Sequence, residues 1–354
     1  MAAIPAPMHG TVQSIYKAYE QANREEHRPH LGASIIGKPC ERRLWYTFRW
    51  AEKKSFEGRM LRLFETGHLA EPRFIDNLRA IGATVETHAP DGNQFRVSHL
   101  GNHIGGSMDS AILGLVEAPK TWHVGEFKTH SQKSFDKLIK EGVKKAKREH
   151  WVQMQIYMGK TGMTRALYLA VNKNTDELYA ERVEFDQVEY QREMNKAERV
   201  VRAAEPPLRI SQDPSYFECK YCDFTAICHG DQVPEVNCRT CANSTPVVDE
   251  SRAGDDQGGC WQCDAFKAEI PLEAQRVGCD GHRYIPILLE KTARPIDFRD
   301  GAVIYETPEG GSFANGDGTG GTFSSQEIRT CGGKAVLQDM AAIKAQFATA
   351  RVVG

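Results

Sequence analysis

The sequence predicts an α/β fold, in which a mixed central sheet is flanked by helices and is followed by a small cysteine-rich module. Three observations predict it. Helical segments precede a group of strands, a long helical segment separates that group from two further strands, and cysteine, glycine and aspartate dominate beyond about residue 230. This order of elements is typical of a sheet that carries helices on its faces.

The first part of the chain is predicted to be mainly helical. Apolar residues recur at helical spacing over residues 11–26, a turn region follows at 28–37, and helical character returns over 40–50 and 71–81. The first ten residues contain neither the charged nor the apolar segment of a signal peptide, and no run of eighteen apolar residues occurs. We therefore expect no membrane span and a cytoplasmic location, in the host cell if the chain is phage-encoded.

Strands dominate the middle of the chain. Alternating and continuous apolar patterns predict them, and two prolines end the helical pattern that follows the last strand. The predicted strands cover residues 84–86, 95–97, 111–115, 123–128, 166–171 and 178–183, and the predicted helices cover 144–158 and 187–203.

The C-terminal part of the chain differs in composition. Residues 308–322 are rich in glycine and predict a loop or flexible hairpin, and the stretch 333–351 predicts a short alanine-rich helix. We expect the chain to divide into three parts, which are residues 1–232, 233–290 and 291–354.

Charge is unevenly distributed along the chain. The formal net charge is −2, so the overall charge gives no sign of nucleic-acid binding. The segment from Lys120 to Arg148 nevertheless contains nine basic residues and only three acidic ones. A local basic surface of this kind can attract phosphate groups, although a solvated helix face would have the same composition.

Two carboxylates and a lysine form the strongest candidate for a catalytic site. Glu126 and Lys128 lie two residues apart in a predicted strand and therefore project to one face, with Phe127 on the other. Asp109 precedes another predicted strand and can bring a second carboxylate to the same place. Converging carboxylates repel each other unless a cation lies between them, and oxygen ligands suit Mg²⁺ or Mn²⁺. Such ions promote phosphodiester hydrolysis, during which Lys128 can stabilise developing charge.

This pattern resembles the PD-(D/E)xK nuclease superfamily. It stands here as Met108-Asp109 followed by Glu126-Phe127-Lys128, with methionine in place of the usual proline. The resemblance implies that Asp109 and Glu126 are the central metal ligands, that the Phe127 carbonyl joins them, and that the metal is Mg²⁺ or Mn²⁺.

Two further motifs resemble the RecB-like and lambda-exonuclease-like branch of that superfamily, and all the pieces follow the family's order over about residues 30–230. Gly67-x-x-x-Glu71 is similar to the branch's first-helix carboxylate motif. It implies that Glu71 assists a metal directly or through water, and that His68 stands where related enzymes often have a metal-ligating histidine. Gln153-x-x-x-Tyr157 is similar to the helical motif, which implies that both residues position DNA or metal-bound water. Gln155 is a competing assignment.

An early cysteine and three later ones flank the nuclease motifs. Cys40 stands in the segment Cys-Glu-Arg-Arg-Leu-Trp-Tyr, and Cys219, Cys222 and Cys228 follow the last predicted helix. Zinc ligands usually come as two pairs, whereas a one-plus-three pattern fits the four thiolates of an iron–sulfur cluster. The pattern resembles RecB-like nucleases with a 4Fe-4S cluster, including the CRISPR-associated and AddB-type enzymes. A zinc site, or a merely buried Cys40, is the alternative, and the expected role of the cluster is structural.

A second metal site, for zinc, is predicted between residues 238 and 282. Six candidate ligands occur there, although a zinc site normally takes four. The favoured set is Cys238, Cys241, Cys263 and Cys279, with His282 as the leading substitute. A simple ribbon that uses Cys260 in place of Cys279 remains open, and Cys331 is expected to be buried or free.

These resemblances imply a phage-type DNA exonuclease that acts in recombination, repair or replication. Its expected partners are DNA and a single-strand-annealing or replication protein, with no membrane involved. The alternative is an iron–sulfur and zinc scaffold of such a complex with weak or no nuclease activity. A helicase is excluded because no GxxxxGK[ST] phosphate-binding loop occurs.

Overall fold

The structure is a computed structural model and describes residues 10–24, 27–249, 258–332, 334–347 and 349–352. The first nine residues, where no signal peptide is expected, and residues 25 and 26 of the first predicted helix lie outside these ranges. Its helices are α1 Gly10–Ala22, α2 Ala33–Ile36, α3 Glu41–Phe48, α4 Gly58–Ala80, α5 Gln132–Ala146, α6 Arg148–Thr161, α7 Gln187–Arg202, α8 Phe217–Lys220, α9 Thr225–Cys228, α10 Leu272–Gln275, α11 Ser325–Cys331 and α12 Lys334–Gln346.

Short strands accompany these helices along the described chain. They are β1 Leu31–Gly32, β2 Thr84–Glu86, β3 Arg96–His99, β4 Ile104–Ser107, β5 Ser110–Leu113, β6 His123–His130, β7 Arg165–Asn172, β8 Leu178–Glu184, β9 Ser244–Val248, β10 Gly259–Cys263, β11 Ala268–Glu269, β12 Arg294–Arg299, β13 Ala302–Glu306 and β14 Ser312–Asn315. No helix in the described ranges is both long enough and apolar enough to cross a membrane.

The chain forms two compact units, and each unit collects separate stretches of sequence. The first unit contains the described residues up to His27 together with Lys54–Val97 and Ser107–Gln187. The second unit contains Arg28–Lys53, Ser98–Gly106 and the chain from Val188 onward. The predicted division into 1–232, 233–290 and 291–354 stays a prediction.

A five-stranded sheet forms the centre of the first unit, in the order β2-β5-β6-β7-β8. Strands β6 and β7 run parallel, and the other neighbouring pairs run antiparallel. Helix α4 contacts β2 and β6, and α5 and α6 contact β6 and β7. A mixed sheet flanked by helices confirms the α/β part of the predicted fold class, and the cysteine-rich metal-binding module stays a prediction.

Helix α4 covers one face of this sheet. Phe74 and Leu78 on the helix pack into a buried core with Phe127, Leu167 and Leu169 from the strands. The Phe74 and Phe127 rings stack with their centroids 5.3 Å apart. Because side chains alternate along a strand, burying Phe127 against α4 directs the residues on either side of it to the opposite face.

Helices α4 and α5 differ from the sequence predictions. Helix α4 begins at Gly58 rather than at residue 71, because side chains 59–70 are not buried and therefore carry no periodic apolar signal. Helix α5 was not predicted, since its buried residues Phe135, Leu138 and Val143 are dispersed among lysines. Helix α6 begins at Arg148 rather than at residue 144, because the backbone at Gly142 and Lys147 leaves the helical conformation.

The second unit joins early and late parts of the sequence through a buried arginine. The Arg239 guanidinium lies 3.7 Å from the centroid of the Trp50 ring. It donates hydrogen bonds to the carbonyls of Pro29 (2.8 Å) and Phe48 (3.0 Å). The turn region predicted at 28–37 was wrong in part, because it contains β1, which pairs in parallel with β4, and α2.

The C-terminal part of the second unit forms two further small sheets. Strands β9, β10 and β11 make one sheet, and β12, β13 and β14 make the other. The glycine-rich stretch 308–322 contains β14, which pairs with β13 as a hairpin. The Lys344 ammonium on α12 donates to the Thr322 carbonyl at 2.8 Å and so holds the end of this stretch.

Candidate active site

Strands β5 and β6 place Asp109 beside Glu126. Their register pairs Ser110 with Gly125, so the two carboxylate residues occupy the next position along the pair. The Phe127 N–H donates a hydrogen bond to Asp109 Oδ2 at 2.8 Å. A Cβ atom on Gly125 would lie 2.1 Å from Ser110 Oγ, so the absence of a side chain at Gly125 leaves room for the Ser110 side chain on the neighbouring strand.

The Glu126 carboxylate is buried, and its negative charge is poorly compensated by neighbouring groups. Its residue is 0% exposed, and it forms an ion pair with Lys128. Apart from that ion pair, neither of its oxygens has a hydrogen-bond partner in the described part of the chain. Burial raises the pKa of Glu126 to about 7, and the charge of Asp109 adds to the effect while Lys128 opposes it. A cation bound to these oxygens would compensate the cost of burying the charge.

Lys128 shares a face of β6 with Glu126, as predicted. Burial disfavours its charged form, but the nearby carboxylates of Glu126, Asp109 and Glu71 outweigh that effect and raise the pKa of Lys128. The ammonium group is therefore protonated at neutral pH, which is the state that can stabilise negative charge on a phosphoryl group.

Glu71 and His68 lie on α4, one turn apart. Burial and the charge of Asp109 raise the pKa of Glu71, and His68 lowers it. Glu71 is therefore near enough to Asp109 for the two charges to interact. His68 is exposed, and its predicted role as a metal ligand stays a prediction. Pro72 lies inside α4 and has no N–H, so the His68 carbonyl lacks its usual helical hydrogen bond.

Gln153 and Tyr157 lie on α6 and are both buried. Gln153 Nε2 donates to the Tyr157 hydroxyl at 3.0 Å, and that hydroxyl donates to the Ser107 carbonyl at 2.7 Å. Ser107 stands two residues before Asp109, so this chain of hydrogen bonds fixes the backbone that leads to the carboxylate. Gln155 bonds elsewhere, to the Glu184 carbonyl and the Asp186 N–H.

A hydrogen-bonded group next to the carboxylates was not predicted. His130 Nε2 and His150 Nδ1 each lie 2.8 Å from the Tyr168 hydroxyl. Ser134 Oγ lies 3.2 Å from His130 Nδ1 and accepts a hydrogen bond from Lys147 Nζ at 2.5 Å. His130 continues the alternating face that carries Glu126 and Lys128, so the strand period could have identified it. Tyr168, Ser134 and His150 come from β7, α5 and α6, Lys147 lies between the two helices, and these residues have no common sequence signal.

The donor set fits a hard divalent cation. Carboxylate oxygens of Asp109 and Glu126 and the backbone carbonyl of Phe127 are the oxygen ligands that Mg²⁺ or Mn²⁺ prefers. Within the described ranges, no three side chains of histidine, cysteine, aspartate or glutamate converge in a way that could hold one metal ion.

Four cysteines of the second unit surround one cavity. Cys40, Cys219, Cys222 and Cys228 all line it, together with basic side chains that include Arg42, Arg43 and Arg209. The four thiols are free. Burial raises the pKa of Cys219, and the neighbouring thiols of Cys40 and Cys228 raise it further. The structure thus brings the predicted one-plus-three set to one place.

The second cysteine group also clusters in the second unit. Burial raises the pKa of Cys238 to about 12, and the nearby thiols of Cys241, Cys279 and Cys263 contribute. Cys238, Cys241, Cys263 and Cys279 are the set that the sequence favoured.

The two alternative ligands of that group are placed differently. Cys260 lies three residues before Cys263 on β10, so the two side chains project to opposite faces of the strand. The His282 ring is buried, lies 3.2 Å from Thr240 Oγ1 and packs edge-on against Tyr284. Their placement favours the four-cysteine set over the ribbon that uses Cys260.

Glu126 generates a pH prediction for the metal-free protein. Its pKa is about 7 in the folded state against an ordinary value of 4.5, so the folded protein binds this proton more tightly than the unfolded chain does. The resulting stability is complete below about pH 4.5 and is lost as the pH rises through about 7. In EDTA, the free energy of unfolding of the wild type should fall by about 3 kcal/mol between pH 4.5 and pH 8, relative to that of Glu126→Gln.

Urea unfolding of both proteins across this pH range measures the difference. The histidines are common to both proteins, so their contribution to the pH dependence cancels. Addition of Mg²⁺ at pH 8 should stabilise wild type and leave the variant unchanged. Parallel pH profiles for the two proteins would show that Glu126 is not a strained buried carboxylate.

The comparison with protein families agrees with the motif. The sequence model of the PD-(D/E)XK nuclease superfamily matches residues 8–229. No curated protein matches the chain. Among solved structures, the chain is similar to SSO0001, with 15% identity, a TM-score of 0.37, and coverage of 62% of this chain and 96% of that chain.

A second similar structure is the alkaline exonuclease LHK-Exo from Laribacter hongkongensis, with 15% identity and a TM-score of 0.34. That match covers 52% of this chain and 90% of the other. Its complex with dAMP matches with 14% identity and a TM-score of 0.35, covering 53% and 89% of the two chains. The family match extends over more than half of the sequence and includes Asp109, Glu126 and Lys128. The chain belongs to the PD-(D/E)XK nuclease superfamily.

Proposed function

We propose that this protein is a DNA exonuclease that uses Mg²⁺ or Mn²⁺ to hydrolyse phosphodiester bonds. One observation carries the proposal: the Glu126 carboxylate is fully buried with no partner other than Lys128, stands next to Asp109, and shares its face with that lysine. A structural carboxylate in such a position would be expected to have hydrogen-bond donors around it. A carboxylate that binds a cation during the reaction would not need them.

Each residue then has a separate role. A divalent ion held by Asp109, Glu126 and the Phe127 carbonyl would polarise the phosphate and supply a hydroxide nucleophile. Lys128, protonated at neutral pH, would stabilise charge on the phosphoryl oxygens. Glu71 would assist the metal directly or through water, and His68, one turn earlier on α4, would extend the ligand set.

Gln153 and Tyr157 support this site through the protein interior. Both are buried, and their hydrogen bonds end on the Ser107 carbonyl rather than in solvent. We infer that they hold the backbone that carries Asp109, which would keep the two carboxylates at metal-binding distance.

Exonuclease action rests on the resemblance of the Glu71 and Gln153-to-Tyr157 motifs to the lambda-exonuclease-like branch. In that role the protein would process DNA ends in recombination, repair or replication, together with a single-strand-annealing or replication protein in the cytoplasm of the host cell. The alternative is a DNA-binding scaffold with a degenerate site. Intact Asp109, Glu126 and Lys128 favour an enzyme.

Removal of a site residue should abolish nucleotide release. Asp109→Ala removes a metal ligand, and Lys128→Ala removes the ammonium group that would stabilise the phosphoryl oxygens. Each should lower the rate of nucleotide release by about 10²- to 10³-fold or more. The assay uses labelled linear, nicked, single-stranded and closed circular DNA with Mg²⁺ or Mn²⁺. Release from linear DNA, with closed circular DNA left intact, identifies an exonuclease.

Matched controls are Glu117→Ala and Lys120→Ala, which remove one carboxylate and one ammonium from exposed positions. Both should keep the wild-type rate. The enzyme proposal fails if the same trace of nucleotide is released by wild type, Asp109→Ala and Lys128→Ala. That result would support the scaffold alternative.

For the first cysteine group we propose a 4Fe-4S cluster held by Cys40, Cys219, Cys222 and Cys228. All four thiols line one cavity. The spacing of one early and three late cysteines fits the four thiolates of such a cluster better than the two pairs usual for zinc. The basic side chains around the cavity would offset the negative charge of the cluster. Its role would be to join Cys40 to the segment 219–228.

Anaerobic purification should therefore give a brown protein with about four irons per chain, as expected for a 4Fe-4S cluster. Cys40→Ser removes one ligand and should lower the iron content and the thermal unfolding midpoint together. Cys331→Ser replaces a free, buried cysteine outside the group and should keep the iron. A colourless anaerobic preparation with stoichiometric zinc at this site would contradict the proposal.

For the second group we propose structural zinc bound by Cys238, Cys241, Cys263 and Cys279. The thiols of Cys241, Cys263 and Cys279 are all near enough to Cys238 to raise its pKa, which supports this set. The surrounding sequence contains few apolar residues, so a metal could stabilise this segment in place of a hydrophobic core. His282 is a less favoured ligand because its ring contacts Thr240 and Tyr284.

Zinc content separates the ligand sets. Cys238→Ser and Cys279→Ser should each lose about one zinc per chain, since a structural site needs all four ligands. Cys260→Ser and His282→Ala should retain it. Retention of zinc by Cys279→Ser together with its loss from Cys260→Ser would support the ribbon alternative instead.

A further inference from the structure

One lysine of the basic segment 120–148 differs from its neighbours. Several of them have an ion-pair partner: Lys128 pairs with Glu126, Lys137 with Glu141, and Lys144 with Asp186. Others, including Lys133, Lys140 and Lys145, are exposed to solvent. Solvated or paired lysines need no further ligand.

Lys147 is half-buried and forms no ion pair with a carboxylate in the described part of the chain. Its ammonium group donates a hydrogen bond to Ser134 Oγ at 2.5 Å. Burial lowers the pKa of Lys147, Lys137 lowers it further, and the nearby Glu149 offsets this only in part. A half-buried ammonium of this kind is stabilised when an anion binds beside it.

The surroundings of Lys147 carry an excess of positive charge. Burial and the ammonium groups of Lys147, Lys128 and Lys173 lower the pKa of His130 to about 4, so all three lysines lie near this ring. His130 is neutral at neutral pH, and the Tyr168 hydroxyl that it bonds is neutral as well because burial and Glu126 raise its pKa. His130 and Tyr168 therefore add no negative charge beside Lys147, and Glu149 compensates its ammonium group only in part.

The position of this group follows the geometry of β6. Glu126, Lys128 and His130 succeed one another on one face of the strand, and Ser134 joins His130 to Lys147. The lysine thus lies at the end of a row that begins at the carboxylates. A strand of nucleic acid bound at Glu126 could place a neighbouring phosphate along that row.

We propose that Lys147, oriented by Ser134, binds a phosphate of the DNA strand next to the phosphate that is cleaved. This subsite rests on the proposed nuclease function and extends it to the backbone of the substrate. Lys147 is then a substrate-binding residue, whereas Ser134, His130 and Tyr168 are positioning residues that act through it.

The test compares Lys147→Gln with Lys145→Gln. Glutamine can keep the hydrogen bond to Ser134 but has no charge, and Lys145 offers the same change at an exposed position two residues away. Binding of a fluorescent oligonucleotide is measured by anisotropy in EDTA, in a series of salt concentrations, so the result does not depend on cleavage. Thermal unfolding of each variant is measured in parallel.

Lys147→Gln should weaken binding by about tenfold, because it removes one charged hydrogen bond. It should also lower the slope of log affinity against log salt by about 0.7 to 0.9, the share of one phosphate contact. Its unfolding midpoint should equal or exceed that of wild type, since a poorly compensated charge is lost. Lys145→Gln should change affinity by less than about twofold, as expected for a solvated surface charge.

Equal binding by the two variants, or a lower unfolding midpoint for Lys147→Gln with unchanged salt dependence, would overturn the subsite. The first result would give Lys147 no special role, and the second would give it a structural one. If wild type binds and cleaves DNA while Lys147→Gln behaves like Lys145→Gln, only the subsite fails. If wild type neither binds nor cleaves, the proposed function fails first.

Discussion

The candidate site depends on the way Phe127 is held in the sheet. Its ring packs against Phe74 in the core of the first unit, and its N–H binds Asp109. The alternation of the strand then fixes Glu126 and Lys128 on the opposite face. The same residue therefore anchors the sheet to α4 and sets the separation of the two carboxylates. Substitutions that loosen this core would disturb the site before they unfold the protein, because catalytic geometry tolerates only small displacements.

Much of this arrangement could be predicted from the sequence because it is local. The strands that carry Glu126 and Tyr168 have clear apolar patterns, and Asp109 and Lys128 belong to an ordered set of motifs. The group around His130 could not be predicted, since its members come from two helices and two strands and meet only after the sheet has formed. The same holds for α5, where lysines conceal the few buried residues.

The cysteines show how far ligand spacing alone can be used. Spacing indicated two groups, and the structure brings each favoured set together in the second unit. The sequence favoured Cys263 over Cys260 but left the ribbon that uses both open, because a CxxC pair in a turn and a CxxC pair in a strand look identical. Placement on β10 separates them, since the two side chains of a strand at this spacing project to opposite faces.

The interleaving of the two units has a consequence for synthesis of the protein. The chain passes from one unit to the other at His27, Lys53, Val97, Gly106 and Gln187, so the first unit is complete once residue 187 has been translated. The second unit must wait for the rest of the chain. Cys40 emerges roughly 180 residues before Cys219, which takes about 10 to 40 s at elongation rates of roughly 5 to 20 residues per second. During that interval its thiol and the Trp50 ring lack their late partners, so a chaperone has a defined period in which to act.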